Sequence, residues 1–132
     1  TLFPYTTLFR SLDSNLIIYA SQPDHHRLRA FIARHAPNVS AVSKVEVLGY
    51  SALTDDEKHF LEAFFEAAQV LPIGADVIDR AVALRQRQRM SLGDALIAGT
   101  ALASQLVLAT HNTKDFGWID ELTVTDPLGA AE

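Results

Sequence analysis

The chain has 132 residues, 48% of them hydrophobic, which is long and apolar enough for one domain with its own core. It contains no cysteine, so disulfides and thiolate metal sites are excluded, and a reducing compartment is the natural interpretation. The net charge of −5, from 16 acidic residues against 11 Lys and Arg, argues against a protein that coats nucleic acid through a broad basic surface.

The first eleven residues, Thr1–Ser11, show neither a strand alternation nor a helical stripe. They look like the translation of a common sequencing adapter joined in frame to a coding sequence. We therefore interpret residues 1–11 as a non-native leader and residues 12–132 as a single domain, with an ordinary variable N-terminus as the alternative. The sequence has no signal-peptide layout and no apolar run near the about 20 residues of a membrane span, so we expect a cytoplasmic protein that contacts no membrane.

The next segments alternate between strand and helix patterns. Leu12–Tyr19 predicts the end of a strand that runs into a short helical turn. Asp24 can cap a helix that closes at Pro37, and Val39–Val42 predicts a second strand. The side chains of this helix that recur at helical spacing are Leu28, Phe31, Ile32 and His35.

Two further helices have recognisable N-terminal caps. Ser43 can cap a helix through Tyr50, which carries Glu46 at its third position. Thr54 and Glu57 have the form of a capping box, a hydroxyl followed three residues later by Glu. The side chains that this second helix would bury are Phe60, Leu61, Phe64 and Phe65.

The second half of the chain continues the alternation, with His111–Trp118 as a loop. The predicted strands are Gln69–Ile73, Leu106–Thr110 and Leu122–Val124. One helix has an apolar side made of Val77, Ile78, Ala81, Val82 and Leu84. Ser91 can cap a second helix, Leu92–Ser104, that is apolar nearly all round and hence buried. Alternating strands and helices predict the α/β class, here a three-layer α/β/α sandwich around a central, mostly parallel sheet.

Four acids are placed where such a sheet binds ligands, beyond the carboxyl ends of its strands. Asp13, Glu46 and Asp115 each follow a predicted strand, while Asp94 lies in the first turn of the apolar helix, where an acid needs a partner. Carboxylates brought together repel one another unless cations lie between them. Oxygen ligands without cysteine favour Mg²⁺ or Mn²⁺, and two such ions about 4 Å apart promote phosphodiester displacement. From spacing alone, helix caps and solvated residues remain open alternatives for each acid.

Four short segments contain these acids: Leu12–Ile17 (LDSNLI), Ser43–Tyr50 (SKVEVLGY), Ser91–Ala98 (SLGDALIA) and Thr110–Phe116 (THNTKDF). In this order they resemble the motifs of PIN-domain ribonucleases, the VapC-type toxins of many bacterial toxin–antitoxin pairs. The resemblance extends from Leu12 to about Val124. It implies a PIN-like fold, endoribonuclease activity that depends on Mg²⁺ or Mn²⁺, an RNA substrate, a cognate antitoxin and a homodimer.

The resemblance also implies roles for the acids. Asp13 and Asp94 take the places of the firmest metal ligands. Glu46 would be a ligand or would orient the attacking water, and Asp115 would hold a second metal, often through water. The chain departs from the family at the first strand, where Thr7–Ser11 replaces an apolar run, so the positioning of Asp13 is the point to check.

Supporting and basic residues complete the predicted site. By the same resemblance, Ser14 would steady the first motif or a phosphate, and Asn112 would shape its loop by hydrogen bonding. Residues that could contact RNA phosphates, with solvated helix ends as the alternative, are Lys44, Arg85, Arg89 and Lys114.

Other functions fit the residues less well. A response-regulator receiver domain should have paired acids after its first strand, and here Asp13 stands alone. A phosphatase of the haloacid dehalogenase type should have a second Asp two residues further, where this chain has Asn15. A catalytically degenerate PIN domain that binds RNA or protein is the remaining alternative, although all four acidic positions are filled.

Overall fold

A computed structural model describes residues 10–35 and 38–129 of the chain. Within these ranges, five strands form one sheet, in the order β3-β2-β1-β4-β5, with every neighbouring pair parallel. The strands are β1 (Arg10–Leu12), β2 (Asn38–Ser40), β3 (Gln69–Leu71), β4 (Val107–Ala109) and β5 (Val124–Thr125). The predicted α/β class with a parallel sheet is therefore confirmed. Residues 1–9 of the proposed leader, Pro37 and the side chain of His35 lie outside the described part.

The connections between the strands contain helices, as is usual for crossovers between parallel strands. The helices are α1 (Ser14–Ala20), α2 (His26–His35), α3 (Ala41–Leu48), α4 (Asp55–Ala67), α5 (Ala75–Arg87), α6 (Leu92–Ala103) and α7 (Thr113–Phe116), with a 3₁₀ turn at Pro23–His25 before α2. No helix in the described ranges has the length and apolar character needed to cross a bilayer. The predicted capping box of α4 is present, with Thr54 and Glu57 each bonding the other's backbone N–H.

Two hydrophobic cores lie on the two faces of the sheet. Because neighbouring side chains of a strand point to opposite faces, Ala109 belongs to the core with Leu12 and Val39, whereas Leu108 belongs to the core with Ile97. The first core packs against α1 to α4 and the second against α5 to α7. Helices therefore cover both faces of the sheet, as the three-layer prediction requires.

Helix α3 begins three residues and ends two residues earlier than predicted. It begins at Ala41, because the side chain of Ser40 caps it by accepting a hydrogen bond from the Val42 N–H at 3.2 Å. The predicted cap, Ser43, is instead fully buried inside the helix, and Glu46 is the sixth helical residue rather than the third. The strand before it is correspondingly shorter than predicted, because β2 ends at the cap.

Three further predictions need correction. Asp24 caps no helix; it lies inside the 3₁₀ turn, whose own N-cap makes no side-chain hydrogen bond. The predicted loop after β4 contains the short helix α7. On α5, Ile78 and Val82 are 47% and 50% exposed, because α5 packs against α6 mainly through the side that carries Ala81 and Leu84. The predicted apolar stripe of α5 is thus wider than the face it buries.

Candidate acidic site at the sheet edge

Asp13 stands directly at the carboxyl end of the central strand β1. Leu12 is in register with Ala109 of β4, and the Asp13 N–H donates to the Ala109 carbonyl at 2.9 Å. This pairing places Thr110 beside Asp13, so the Thr110 hydroxyl donates to Asp13 Oδ2 at 2.8 Å. The other oxygen, Oδ1, accepts from the Ser14 N–H at 2.8 Å and caps α1. Both oxygens of this buried carboxylate are therefore held by the fold.

Asp94 lies in the first turn of α6, where Ser91 caps the helix as predicted and its hydroxyl accepts from the Asp94 N–H at 3.0 Å. Burial first, and then the negative charges of Asp13, Asp115 and Glu46, together raise the pKa of the Asp94 carboxyl to about 6 from its ordinary 3.8. An isolated first-turn Asp would be stabilised as an anion by the helix dipole. The hydrogen bond with Ser91 also lowers the pKa of Asp94, but burial and the three neighbouring acids outweigh it.

The pKa of Asp13 is also raised, chiefly because burial penalises its charged form. The hydrogen bonds from Thr110 and Ser14 lower the pKa of Asp13, but the charges of Glu46 and Asp115 add to the rise. The fold thus places this carboxylate where its charge is costly and surrounds it with donors that hold it in place.

Glu46 is tied to two other helices. Its Oε1 accepts a hydrogen bond from the Ser14 hydroxyl of α1 at 2.7 Å, and Ser14 Oγ lies 3.0 Å from Ser43 Oγ. Its carboxylate also lies against the backbone of Gly93, so closely that a Cβ at residue 93 would collide with it. Glycine at this position lets α6 approach Glu46 immediately before Asp94.

Asp115 belongs to α7, which begins at Thr113, directly after a turn from Thr110 to Asn112. The Asn112 N–H donates to the Thr110 hydroxyl at 2.9 Å, and the Asp115 N–H donates to the Asn112 carbonyl at 3.1 Å. Asn112 therefore shapes this turn through its backbone, and its side chain does not cap α7. Asp115 is exposed, yet its charge raises the pKa of both Asp13 and Asp94.

The donor set suits a hard divalent cation. It consists of carboxylate and hydroxyl oxygens, and repulsion among the acids is what such a cation would relieve. In residues 10–35 and 38–129, no three His, Asp or Glu side chains form a ready-made metal site. The four carboxylates nevertheless fit Mg²⁺ or Mn²⁺ in charge and ligand type.

Comparison of the sequence with known protein families identifies a family that includes these acids. The sequence model of the PIN domain matches residues 11–122, which include all four acids. The chain belongs to the PIN-domain family. Members of this family are typically nucleases and generally depend on metal. A comparison with curated protein sequences finds no significant match.

Solved structures with the same fold include a chain of a toxin–antitoxin complex. The complex from Klebsiella pneumoniae contains a chain 27% identical to this PIN domain, with a TM-score of 0.74 over 89% of this chain and 97% of that one. VapBC2 from Rickettsia felis, bound to a promoter DNA fragment, gives 20% identity and a TM-score of 0.78 over 89% and 98%. VapBC-1 from nontypeable Haemophilus influenzae gives 21% and 0.75 over 92% and 99%.

The four basic residues predicted to contact RNA phosphates are exposed, as solvated residues and phosphate-binding residues both would be. They are Lys44, Arg85, Arg89 and Lys114. Lys44 shares α3 with Glu46, and Lys114 precedes Asp115 on α7. Arg85 donates to the Met90 carbonyl at 3.2 Å, at the turn that leads into α6.

Two hydroxyl residues next to the acids were not predicted from the sequence. Thr110 bonds Asp13 across the β1–β4 pair, and Ser43 bonds Ser14 between α3 and α1. The signal for Thr110 is its place after a strand, which the acids share. The sequence around Ser43 predicts a helix cap, whereas the structure buries its hydroxyl beside Ser14.

Proposed function

We propose that this PIN domain is a metal-dependent endoribonuclease that cleaves RNA phosphodiester bonds, and that it is the toxin of a toxin–antitoxin pair. The observation that carries the proposal is the electrostatic coupling of the four acids. Asp13, Glu46 and Asp115 all act on the Asp94 carboxyl, whose pKa is raised to about 6. Such repulsion has a cost for folding and is a common feature of catalytic sites.

The acids would hold Mg²⁺ or Mn²⁺, with Asp13 and Asp94 as the central ligands and Glu46 and Asp115 completing the set. When bound, the metal would activate water and stabilise the leaving oxygen of an in-line displacement. The chain's own contribution is positioning. Thr110 fixes one oxygen of Asp13, and the Ser14 hydroxyl fixes one oxygen of Glu46.

The proposal includes partners. Exposed cations beside the acids, Lys44 and Lys114, together with Arg85 and Arg89 before α6, would contact RNA phosphates. The similar structures from Klebsiella pneumoniae and Rickettsia felis contain an antitoxin, and we propose a cognate antitoxin and a homodimer for this chain as well. Exposed apolar side chains available for such contacts are Val45, Tyr50, Ile73, Ile78, Val82 and Leu92.

Cleavage of a structured RNA panel in Mn²⁺ tests the proposal. The full chain should cut RNA, and Asp94→Asn should lower the cleavage rate at least about a hundredfold. Asp79→Asn is the control, because it makes the same change at an exposed position of α5. It should cleave RNA as fast as the full chain. Equal cleavage by the full chain and Asp94→Asn would refute the metal site. RNA binding without cleavage would favour the degenerate binding module instead.

A further inference from the structure

A short chain of hydroxyl groups runs from the interior of α3 to the carboxylate of Glu46. Ser43 Oγ lies 3.0 Å from Ser14 Oγ, and Ser14 Oγ lies 2.7 Å from Glu46 Oε1. Ser43 is fully buried and Ser14 is 6% exposed, whereas Glu46 is exposed. The two ends of the chain, Ser43 and Glu46, lie one turn apart on the same helix, and α1 supplies the link between them.

The number of hydroxyl hydrogens determines which group donates in each of these two hydrogen bonds. Each serine hydroxyl has one hydrogen to donate, and an ionised carboxylate can only accept. The Ser14 hydrogen goes to Glu46, because that contact is the shorter one and its acceptor is charged. The Ser43 hydrogen is then the one that fills the contact with Ser14 Oγ. Ser43 donates to Ser14, and Ser14 donates to Glu46, so each bond polarises and strengthens the next.

This arrangement restricts a side chain that would otherwise be free. Glu46 sits on the exposed side of α3, where a long acidic side chain samples many rotamers. The Ser14 hydroxyl fixes one of its oxygens, and the Gly93 backbone lies against the other side of the carboxylate. The fold thus turns Glu46 towards Asp94, but only while Ser14 itself stays in one rotamer.

We infer that Ser43 is a positioning residue: through Ser14 it orients the Glu46 carboxylate for divalent-cation binding. This inference rests on the proposed function, since it concerns the same site. Partners that orient metal ligands typically contribute about 10- to 100-fold to affinity or activity. Ser43 acts one residue further away than such a partner, so its effect falls below that range.

Binding of Mn²⁺ alone, measured by calorimetry without RNA, tests the inference. Ser43→Ala should weaken Mn²⁺ binding by about threefold to tenfold. Ser21→Ala is the matched control, because it removes a buried hydroxyl at the opposite end of α1, where the Ser21 hydroxyl donates to the Ile18 carbonyl. It should leave Mn²⁺ affinity within about twofold of the full chain. Thermal melts in EDTA establish that each variant is folded.

Double variants separate positioning from a general structural role. Ser43→Ala should have no further effect on Mn²⁺ affinity when Ser14 is already Ala, or when Glu46 is already Gln. The same loss in all backgrounds, or no loss in the full chain, would overturn the inference. If Ser43→Ala binds Mn²⁺ normally while the full chain cleaves RNA, the inference fails and the proposed function stands. If the full chain binds Mn²⁺ without cleaving RNA, the proposed function fails and the affinity comparison still decides the role of Ser43.

Discussion

Replacing Asp94 with Asn should stabilise the metal-free protein at neutral pH. Folding raises the pKa of this carboxyl from 3.8 to about 6, so the folded state binds more protons than the unfolded state between these values. The contribution of Asp94 protonation to the free energy of unfolding is therefore fully present below about pH 3.8 and is lost as pH rises through about 6. The shift corresponds to about 3 kcal/mol, which screening at this half-buried group reduces to about 1–2 kcal/mol. Asn keeps the shape and removes the charge, so it should recover that amount.

Thermal melts in EDTA measure this effect. At pH 7.5 the melting temperature of Asp94→Asn should exceed that of the full chain by about 4–8 °C, and at pH 5.0 the difference should fall to about half. Addition of about 5 mM Mn²⁺ should stabilise the full chain more than the variant, because only the full chain retains the ligand. Asp79→Asn serves as the control and should not change the melt. A variant less stable than the full chain in EDTA at pH 7.5 would refute the reasoning.

Three other substitutions test separate contacts. Gly93→Ala places a Cβ against the Glu46 carboxylate. RNA cleavage should therefore fall at least about tenfold, while the melting temperature barely changes. Normal cleavage by this variant would contradict the prediction. Ser11→Ala removes a buried hydroxyl without a hydrogen-bond partner in the described residues, so urea unfolding should show a gain of about 1 kcal/mol rather than a loss. Gly99→Ala places a Cβ 2.9 Å from the Val77 carbonyl between α5 and α6 and should cost about 1–3 kcal/mol in the same assay.

The sheet and the position of the acids were predictable because both follow from local patterns. Alternating strand and helix signals are enough to predict a parallel sheet, and a parallel sheet gathers whatever follows its strands at one edge. Asp13 follows β1 directly and is bonded to β4 there. Asp94 was singled out because an acid in an apolar helix needs a partner, and it is the group whose pKa the other three acids raise.

The hydroxyl contacts were not predictable because they join residues far apart in sequence. Thr110 meets Asp13 across 97 residues, and only the register of β1 against β4 brings them together. The sequence offers two serines near the start of α3, Ser40 and Ser43, and either residue can cap a helix. Packing decides between them, since Ser43 faces α1 in the interior and bonds Ser14.

The first strand, where the chain departs from the family pattern, pairs with β4 up to Asp13. Parallel pairing uses backbone N–H and C=O groups, which every residue except proline provides. Arg10 and Ser11 therefore pair with β4 in the same register as Leu12, and the Asp13 N–H reaches the Ala109 carbonyl at 2.9 Å. The polar residue in this strand has its effect at the side chain, because the Ser11 hydroxyl is buried without a hydrogen-bond partner in the described residues. Residue 11 should thus influence stability, while the position of Asp13 depends on the register.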